Sequence, residues 1–277
     1  MAFSVLMSVY AREQPEYLGA ALDSVMDQTM KPDEIVLVED GKLTEDLYQI
    51  IQEKQKIYPC LKPVQLEENQ QLGRALAIGL AHVTNDLVAR MDSDDISVQE
   101  RFELQYQYMQ VHPETALVGG YIQEFDDQGS WNKIREVPLE EKEIHKYMRY
   151  RNPLNHVTVM FRKEAVMSAG NYQHFPFLED YYLWNRMYAG GAKLANIPKV
   201  LVKVRTSPNM FKRRGGFSYC AGYLRFRRIQ RKLNITNTRE YLLGCILSIA
   251  ITLQPGWLRK WVYSAVLRRS GDLEENG

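Results

Sequence analysis

An α/β fold with a mostly parallel central sheet and flanking helices is the architecture this sequence predicts. Three observations predict it. Short, almost unbroken apolar runs recur through the first 125 residues. Segments with apolar residues every three or four positions lie between them. The runs stop at turn residues such as Pro32 and Gly41. Runs without polar alternation mark strands covered on both faces, and strand–helix alternation makes such strands parallel.

The elements follow in order. Phe3 to Tyr10 reads as a first buried strand. Residues 16–29 space Tyr17/Leu18, Ala21/Leu22 and Val25/Met26 as a helix does, and Pro32 stops it. Glu34 to Val38 is a second strand, closed by Glu39-Asp40-Gly41, and residues 45–57 are helical. Pro63 to Leu66 is a third strand; residues 72–83 are helical through Leu72, Leu76, Leu80 and Val83. Leu87 to Met91 is the fourth strand, residues 98–111 a helix, and Ala116 to Tyr121 begins a fifth strand. Past residue 125 the rhythm loosens. Residues 139–150 read as a helix, Asn155 to Phe161 as a strand, 178–189 as a loop running into a helix, and 193–204 as a strand pair.

The chain of 277 residues is long enough for one large or two modest domains, and 45% apolar with 25% charged residues is ordinary globular composition. Three dispersed cysteines, Cys60, Cys220 and Cys245, suggest neither a disulfide framework nor a zinc site, and favour a reducing compartment. The start, Met1-Ala2-Phe3-Ser4, has no basic stretch before its apolar run, so no secretory signal is expected. The net charge of +1 conceals an asymmetry: residues 1–198 hold 19 Lys/Arg against 30 Asp/Glu, whereas residues 199–269 hold 16 against the single Glu240. An acidic body with a basic extension points to an anionic partner for the extension.

The sharpest motif is Asp92-Ser93-Asp94-Asp95, right after the fourth strand. Crowded carboxylates raise one another's pKa unless a cation intervenes, and a hard divalent ion with oxygen ligands suits them. A solvated turn capping the next helix is the alternative, since Asp favours both positions. An EF-hand does not fit, because its sixth position is Ser97 where glycine is required. No G-x-G-x-x-G follows the first strand and no GxxxxGK[ST] occurs, which argues against dinucleotide dehydrogenases and P-loop enzymes. Open parallel sheets bind ligands beyond strand C-termini, so the acidic tips Glu39-Asp40 and Asp92 to Asp95 should border one cleft.

In these residues, and in their order, the chain resembles the family 2 glycosyltransferases of GT-A fold over roughly residues 3–205. The matching pieces are Ser4 to Tyr10, Val38 to Gly41, Asn69 to Gly79, Asp92 to Asp95 with Arg101 downstream, Asn152-Pro153 to Arg162, and Glu179-Asp180 followed by Trp184. The resemblance implies a UDP-sugar donor, with Asp40 reading the uracil, Arg74 by the base or diphosphate, Asp92 near ribose or metal, and Val9 and Glu39 beside them. It implies Asp94 as the metal-binding acid, with Asp92 assisting and Asp95 behind them, and Mn²⁺ or Mg²⁺ as cofactor. Asp180 matches the general base of inverting transfer. Glu179, His156 and Trp184 are further candidates, each with a plain structural alternative: helix-start acid, satisfied histidine and core indole.

Residues 206–277 form a second region by composition, distinct from the catalytic unit 1–205. Met210 to Gly216 is similar to enzymes that build capsule or O-antigen repeat units on a lipid carrier, and Lys212, Arg213 and Arg214 are candidates for closing over a diphosphate. Tyr241 to Leu253 is almost wholly apolar but too short for a membrane span. Edged by Trp, Tyr and Arg, such a segment suits a helix lying on an anionic membrane surface; a helical hairpin packed on the domain is the alternative, and a nucleic-acid partner is not expected. The sequence therefore leads to an expectation: a metal-dependent inverting hexosyltransferase, peripheral on the cytoplasmic face of a bacterial inner membrane. It would move galactose or glucose from UDP to a lipid-diphosphate-linked saccharide, beside other enzymes of the assembly. The competing readings are a non-catalytic sugar-nucleotide or lipid-binding protein on this scaffold, and a sugar-nucleotide pyrophosphorylase. Ala11 to Pro15 does not look like the triphosphate loop that a pyrophosphorylase needs.

Overall fold

The computed structural model describes residues 2–129, 131–206, 215–255, 258 and 269–270. Lys212, Arg213 and Arg214 lie outside the described residues. The element order begins β1 (Ser4–Val9), α1 (Pro15–Met26), β2 (Glu34–Glu39), α2 (Glu45–Ile57), β3 (Leu61–Gln65), α3 (Gln71–His82), β4 (Leu87–Arg90), β5 (Ile96–Ser97) and α4 (Arg101–Val111). It continues with β6 (Thr115–Phe125), β7 (Asn132–Arg135), α5 (Glu141–Met148), a 3₁₀ turn (His156–Thr158), β8 (Met160–Arg162), α6 (Lys163–Ser168), α7 (Glu179–Ala189) and β9 (Lys193–Arg205). Two long helices follow, α8 (Phe217–Lys232) and α9 (Thr238–Leu253), then a two-residue strand β10 (Arg269–Ser270).

One mixed sheet runs β10-β7-β6-β8-β4-β1-β2-β3, with β9 parallel to β6 and β5 antiparallel to β9. β1 pairs in parallel with both β2 and β4, so the tips carrying Glu39 and Asp92 flank the tip of β1. Both faces of this core are covered. Met7, Val9, Leu18 and Leu22 pack with Phe102 on one side, and Leu6, Val36, Leu76 and Leu80 pack with Trp184 on the other. The unbroken apolar strands of the sequence thus form the middle of a three-layer sandwich.

Two expected elements differ. Asn155 to Phe161 is not one strand: the Asn155 amide donates to the Gly120 carbonyl at 2.7 Å, and Thr158 Oγ1 donates to the Asn155 carbonyl at 2.8 Å. These local bonds wind a 3₁₀ turn before β8, as short polar side chains do when they compete with a ladder. Residues 193–204 are one long strand rather than a pair. The register on β6 jumps from Gly120↔Ile197 to Tyr121↔Val200, so Pro198 sits in a bulge instead of a reversal.

Within the basic extension, residues 217–253 fold as a helical hairpin against the body. Helix α9 is inverted: its buried positions are Gly244, Ser248 and Thr252, while Leu242, Leu243, Ile246, Ile249 and Leu253 are 41–62% exposed. Arg225, Arg228, Arg231, Lys232 and Arg239 are exposed on or beside the same hairpin. No helix among the described residues is long and apolar enough to cross a membrane.

Candidate active site

β4 ends in Arg90, a fully buried arginine inside an apolar strand, which ion-pairs with Asp92. The chain then turns through Ser93-Asp94-Asp95 into β5. Contacts from outside hold this turn, among them Arg205 Nε, which donates to the Asp94 carbonyl at 3.3 Å. Ser93 Oγ donates to Glu13 Oε2 at 2.6 Å, and the Arg205 backbone N–H donates to Asp95 Oδ1 at 2.9 Å. Carboxylate oxygens of Asp92, Asp94 and Asp95 lie within 4.8 Å of one another. Burial, then the charges of Asp92 and Glu13, push Asp94 up to about 7. Burial, then Asp92 and Asp94, hold Asp95 well above the carboxylate range. Asp95 Oδ2 is buried without a hydrogen-bond partner. A hard divalent cation fits this donor set: it gives buried oxygens a partner and cancels their repulsion. Asp95, expected behind the other two acids, lies in the same cluster with them.

Asp180 sits in the first turn of α7, and Asn152 Nδ2 donates to its Oδ2 at 2.6 Å. Burial raises its pKa, partly offset by the Tyr181 N–H, Asn152 and Arg135. His156, on the 3₁₀ turn, meets the Tyr172 hydroxyl at 3.2 Å. Burial first, and Arg90 second, lower its pKa well below the usual histidine value, so the ring is neutral at pH 7. One cavity of about 410 Å³ joins these groups: Asp92, Asp180, His156, Asn152, Arg135 and Arg151 are on its wall.

Asp40 and Arg74 are not on that wall. The Asp40 side chain caps the approach to α3, accepting the Gln70 N–H at 2.6 Å, and Asp40 is 4% exposed. Burial raises its pKa and that of its buried neighbour Glu39. The Val9 carbonyl accepts the Asp40 N–H at 2.8 Å, which ties the tips of β1 and β2 together. Gly41 follows at φ +84°, where an added Cβ would also meet Asn69 N at 2.7 Å, so only glycine serves the turn. Arg74 is exposed on the first turn of α3. That turn touches the start of α7: a Cβ at Gly73 would lie 2.8 Å from Glu179 Cγ and 2.9 Å from the Gln173 carbonyl. Burial there pushes Glu179 up to about 7. Trp184 is fully buried beneath the site, packed edge-on against His156, and offers no face to a sugar. Arg101 is likewise buried, donating to Gln105 and to the Arg90 carbonyl.

Several wall and support residues escaped the sequence reading. Arg90 had a signal, a lone charge inside an apolar strand. Glu13, Arg135, Tyr172 and the hairpin residues had none. The hairpin matters here because Arg227, 3% exposed, donates to the carbonyls of Arg149 at 2.9 Å and Tyr150 at 2.6 Å and to Ser248 Oγ at 3.1 Å. Gln230 donates to the Met148 carbonyl at 2.8 Å and to Asn185 Oδ1 at 3.0 Å. The loop bearing Asn152 and the helix bearing Asp180 are thus both fastened to α8.

Comparison with known proteins agrees with this arrangement. Residues 4–174 match the sequence profile described as Glycosyl transferase family 2. An Erwinia amylovora protein named amylovoran biosynthesis glycosyltransferase AmsE is 41% identical, over 94% of this chain and 97% of its own length. An Escherichia coli protein named UDP-Gal:alpha-D-GlcNAc-diphosphoundecaprenol beta-1,3-galactosyltransferase is 35% identical, over 96% of this chain and 97% of its own. Among solved structures, Staphylococcus aureus TarS 1-349 in complex with UDP-GlcNAc superposes with a TM-score of 0.68 at 17% identity, covering 95% of this chain and 75% of that one. With its curled, mostly parallel sheet and acid-tipped strands, the chain belongs to glycosyl transferase family 2 and has the GT-A fold.

Proposed function

We propose that this protein is an inverting hexosyltransferase of bacterial surface-polysaccharide assembly, using a UDP-sugar donor and a lipid-diphosphate-linked saccharide acceptor. The observation that carries the proposal is the convergence of Asp180, held by Asn152, and Asp92, within the acid triad, on one cavity. The names of two relatives support it: one concerns amylovoran biosynthesis and the other galactose transfer to GlcNAc-diphosphoundecaprenol. Galactose is accordingly the first hexose to test.

Asp94 and Asp92, with Asp95 beside them, would hold Mn²⁺ or Mg²⁺. A bound cation there supplies Lewis-acid neutralisation of diphosphate charge. Asp40, Glu39, Val9 and Arg74 form the nucleotide side, at the tips of β1 and β2 and the start of α3. Asp180 is the general base. As the acceptor oxygen bonds to the anomeric carbon, the bond from that carbon to the UDP oxygen breaks, UDP departs with the electron pair, and Asp180 takes the hydroxyl proton. Burial favours this role, because a carboxylate with a raised pKa is a stronger base. Asn152 orients it, and neutral His156 lends the cavity a hydrogen-bonding ring without adding a cation.

The inverted helix α9 and the exposed arginines around it support peripheral attachment to the anionic cytoplasmic leaflet of the inner membrane. Exposed apolar surface of this extent marks an interaction site. Incubation of the protein and Mn²⁺ with a panel of UDP-sugars and a synthetic GlcNAc-diphospho-lipid, read by mass spectrometry, tests the reaction. One added hexose on the lipid is the expected product. Free hexose and UDP alone, with every acceptor, would sink the transfer reading.

A further inference from the structure

The cavity that holds Asp180 is lined by both charged and apolar side chains, drawn from the body and from the hairpin. Its charged residues come mostly from the body: Asp92 after β4, Glu124 of β6, Arg135 of β7, Arg151 after α5 and Asp180 of α7, with Arg227 added by the hairpin. The body adds apolar residues such as Ile122, Leu154 and Val204, and the Phe177 turn and the hairpin add Phe177, Tyr219, Tyr223, Leu247 and Ile251. These rings form a chain, Phe177 to Tyr219 at 5.1 Å between centroids and Tyr219 to Tyr223 at 5.3 Å.

Leu247 and Ile251 have a double position. Both line the cavity, yet they are 39% and 37% exposed, continuous with the outward stripe of Leu243, Ile246 and Ile249. Phe177 is 60% exposed and sits at φ +69°, a conformation a bulky residue rarely adopts. An exposed aromatic on a cavity lining in such a backbone conformation points to a site that uses it. Leu247 and Ile251 therefore belong both to the cavity lining and to the exposed apolar face of α9.

Resting on the reading of a lipid-linked acceptor, we infer that this aromatic–aliphatic mouth is a binding groove for the hydrocarbon chain of that acceptor. The chain leaves the cavity between the Phe177–Tyr219 rings and the Leu247–Ile251 edge of α9. Its diphosphate lies toward the wall with Arg135 and Arg151, and its saccharide toward Asp180. The match is one of polarity: a molecule with a charged head and a greasy tail fits a cavity that offers both arginines and an exposed apolar edge.

Titration of the full chain with farnesyl diphosphate and, separately, with inorganic diphosphate tests the groove without turnover. The wild-type protein should bind farnesyl diphosphate at least about tenfold more tightly, which burial of only two methylenes achieves. L247D and I251D should each cut that preference below about threefold and leave inorganic diphosphate affinity unchanged; L247M should keep it. Should L247D unfold, F177A, on a separate element, carries the same expectation. Equal wild-type affinity for the two diphosphates, or full preference in both aspartate variants, overturns the groove. A failure of the transferase reading looks different: no hexose reaches any acceptor, while the farnesyl preference stands.

Discussion

Helices α3 and α9 bury opposite things. Helix α3 turns Ala75, Leu76 and Leu80 inward against the sheet. Helix α9 turns Gly244, Ser248 and Thr252 inward and leaves its leucines and isoleucines outside. A helix usually gains its stability from burying its large apolar face. Helix α3 obeys, so the catalytic body holds itself together by burial. Helix α9 instead lies on the Arg227 side chain, whose Cδ and Nε are 3.3 Å from where a Gly244 Cβ would stand. The hairpin is fastened by hydrogen bonds and an Arg149–Glu240 ion pair, and its apolar face is left exposed. The body binds by burying residues, the hairpin by presenting them.

Breaking the body's chemistry should have the largest effect. Asp180→Asn should lower kcat by about 10²–10⁴, the usual worth of a general base, and leave UDP affinity within about twofold. Steady-state kinetics and calorimetric UDP binding check this; affinity falling as far as turnover would instead give Asp180 a role in donor binding. In the wild type, kcat should fall on the acid side above the ordinary carboxylate range, because burial raises the Asp180 pKa.

Loosening the clasp comes next. Arg227→Met leaves the Arg149 and Tyr150 carbonyls and Ser248 without their donor, and should cost about 3 kcal/mol in urea unfolding. It should also lower kcat more than it raises the donor KM, since the Asn152 loop loses its anchor. A kcat unchanged in the folded variant would separate the hairpin from the active site.

The outer face is tested by Leu242→Asp combined with Ile246→Asp. Binding to vesicles containing anionic lipid should weaken more than about tenfold, while the melting temperature stays put, because both residues are already exposed. Unchanged vesicle binding would return the hairpin to a purely structural part.

The smallest expected effect is on pH-dependent stability. Glu179 is pushed up to about 7, so the folded state holds its proton more tightly than the unfolded chain. Its contribution is full below the unfolded pKa and is lost as pH rises through about 7. Thermal melts of Glu179→Gln between pH 5 and 8 should show a shallower decline than wild type. An identical slope would show that Glu179 does not set it.

The legible parts of the molecule are those whose neighbours are close in sequence. The apolar run Ile35 to Val38 and the acids after Met91 announce a strand and its tip, because a parallel sheet places its ligands there. Residues 45–57 stand as a helix over the expected span, and the Thr44 side chain caps it. Less legible are features decided by distant partners. Asn155 and Thr158 look like strand residues until Gly120 is beside them. Arg227 is one more arginine in a basic stretch, and only the fold shows that it is buried while Arg225 and Arg228 are exposed. The inverted face of α9 was visible as an apolar run, but which side would be covered depended on Arg227.

Gly73 has a consequence of another order. Its backbone is ordinary helix, so its requirement is one of room alone: α3 and the first residue of α7 meet across a gap that even a methyl group would overfill. The sides proposed for the nucleotide and for the proton therefore stand apart by a fixed span, like two jaws on a rigid gauge. Alanine there would force the gauge open, and a donor and an acceptor could each still be gripped while failing to meet.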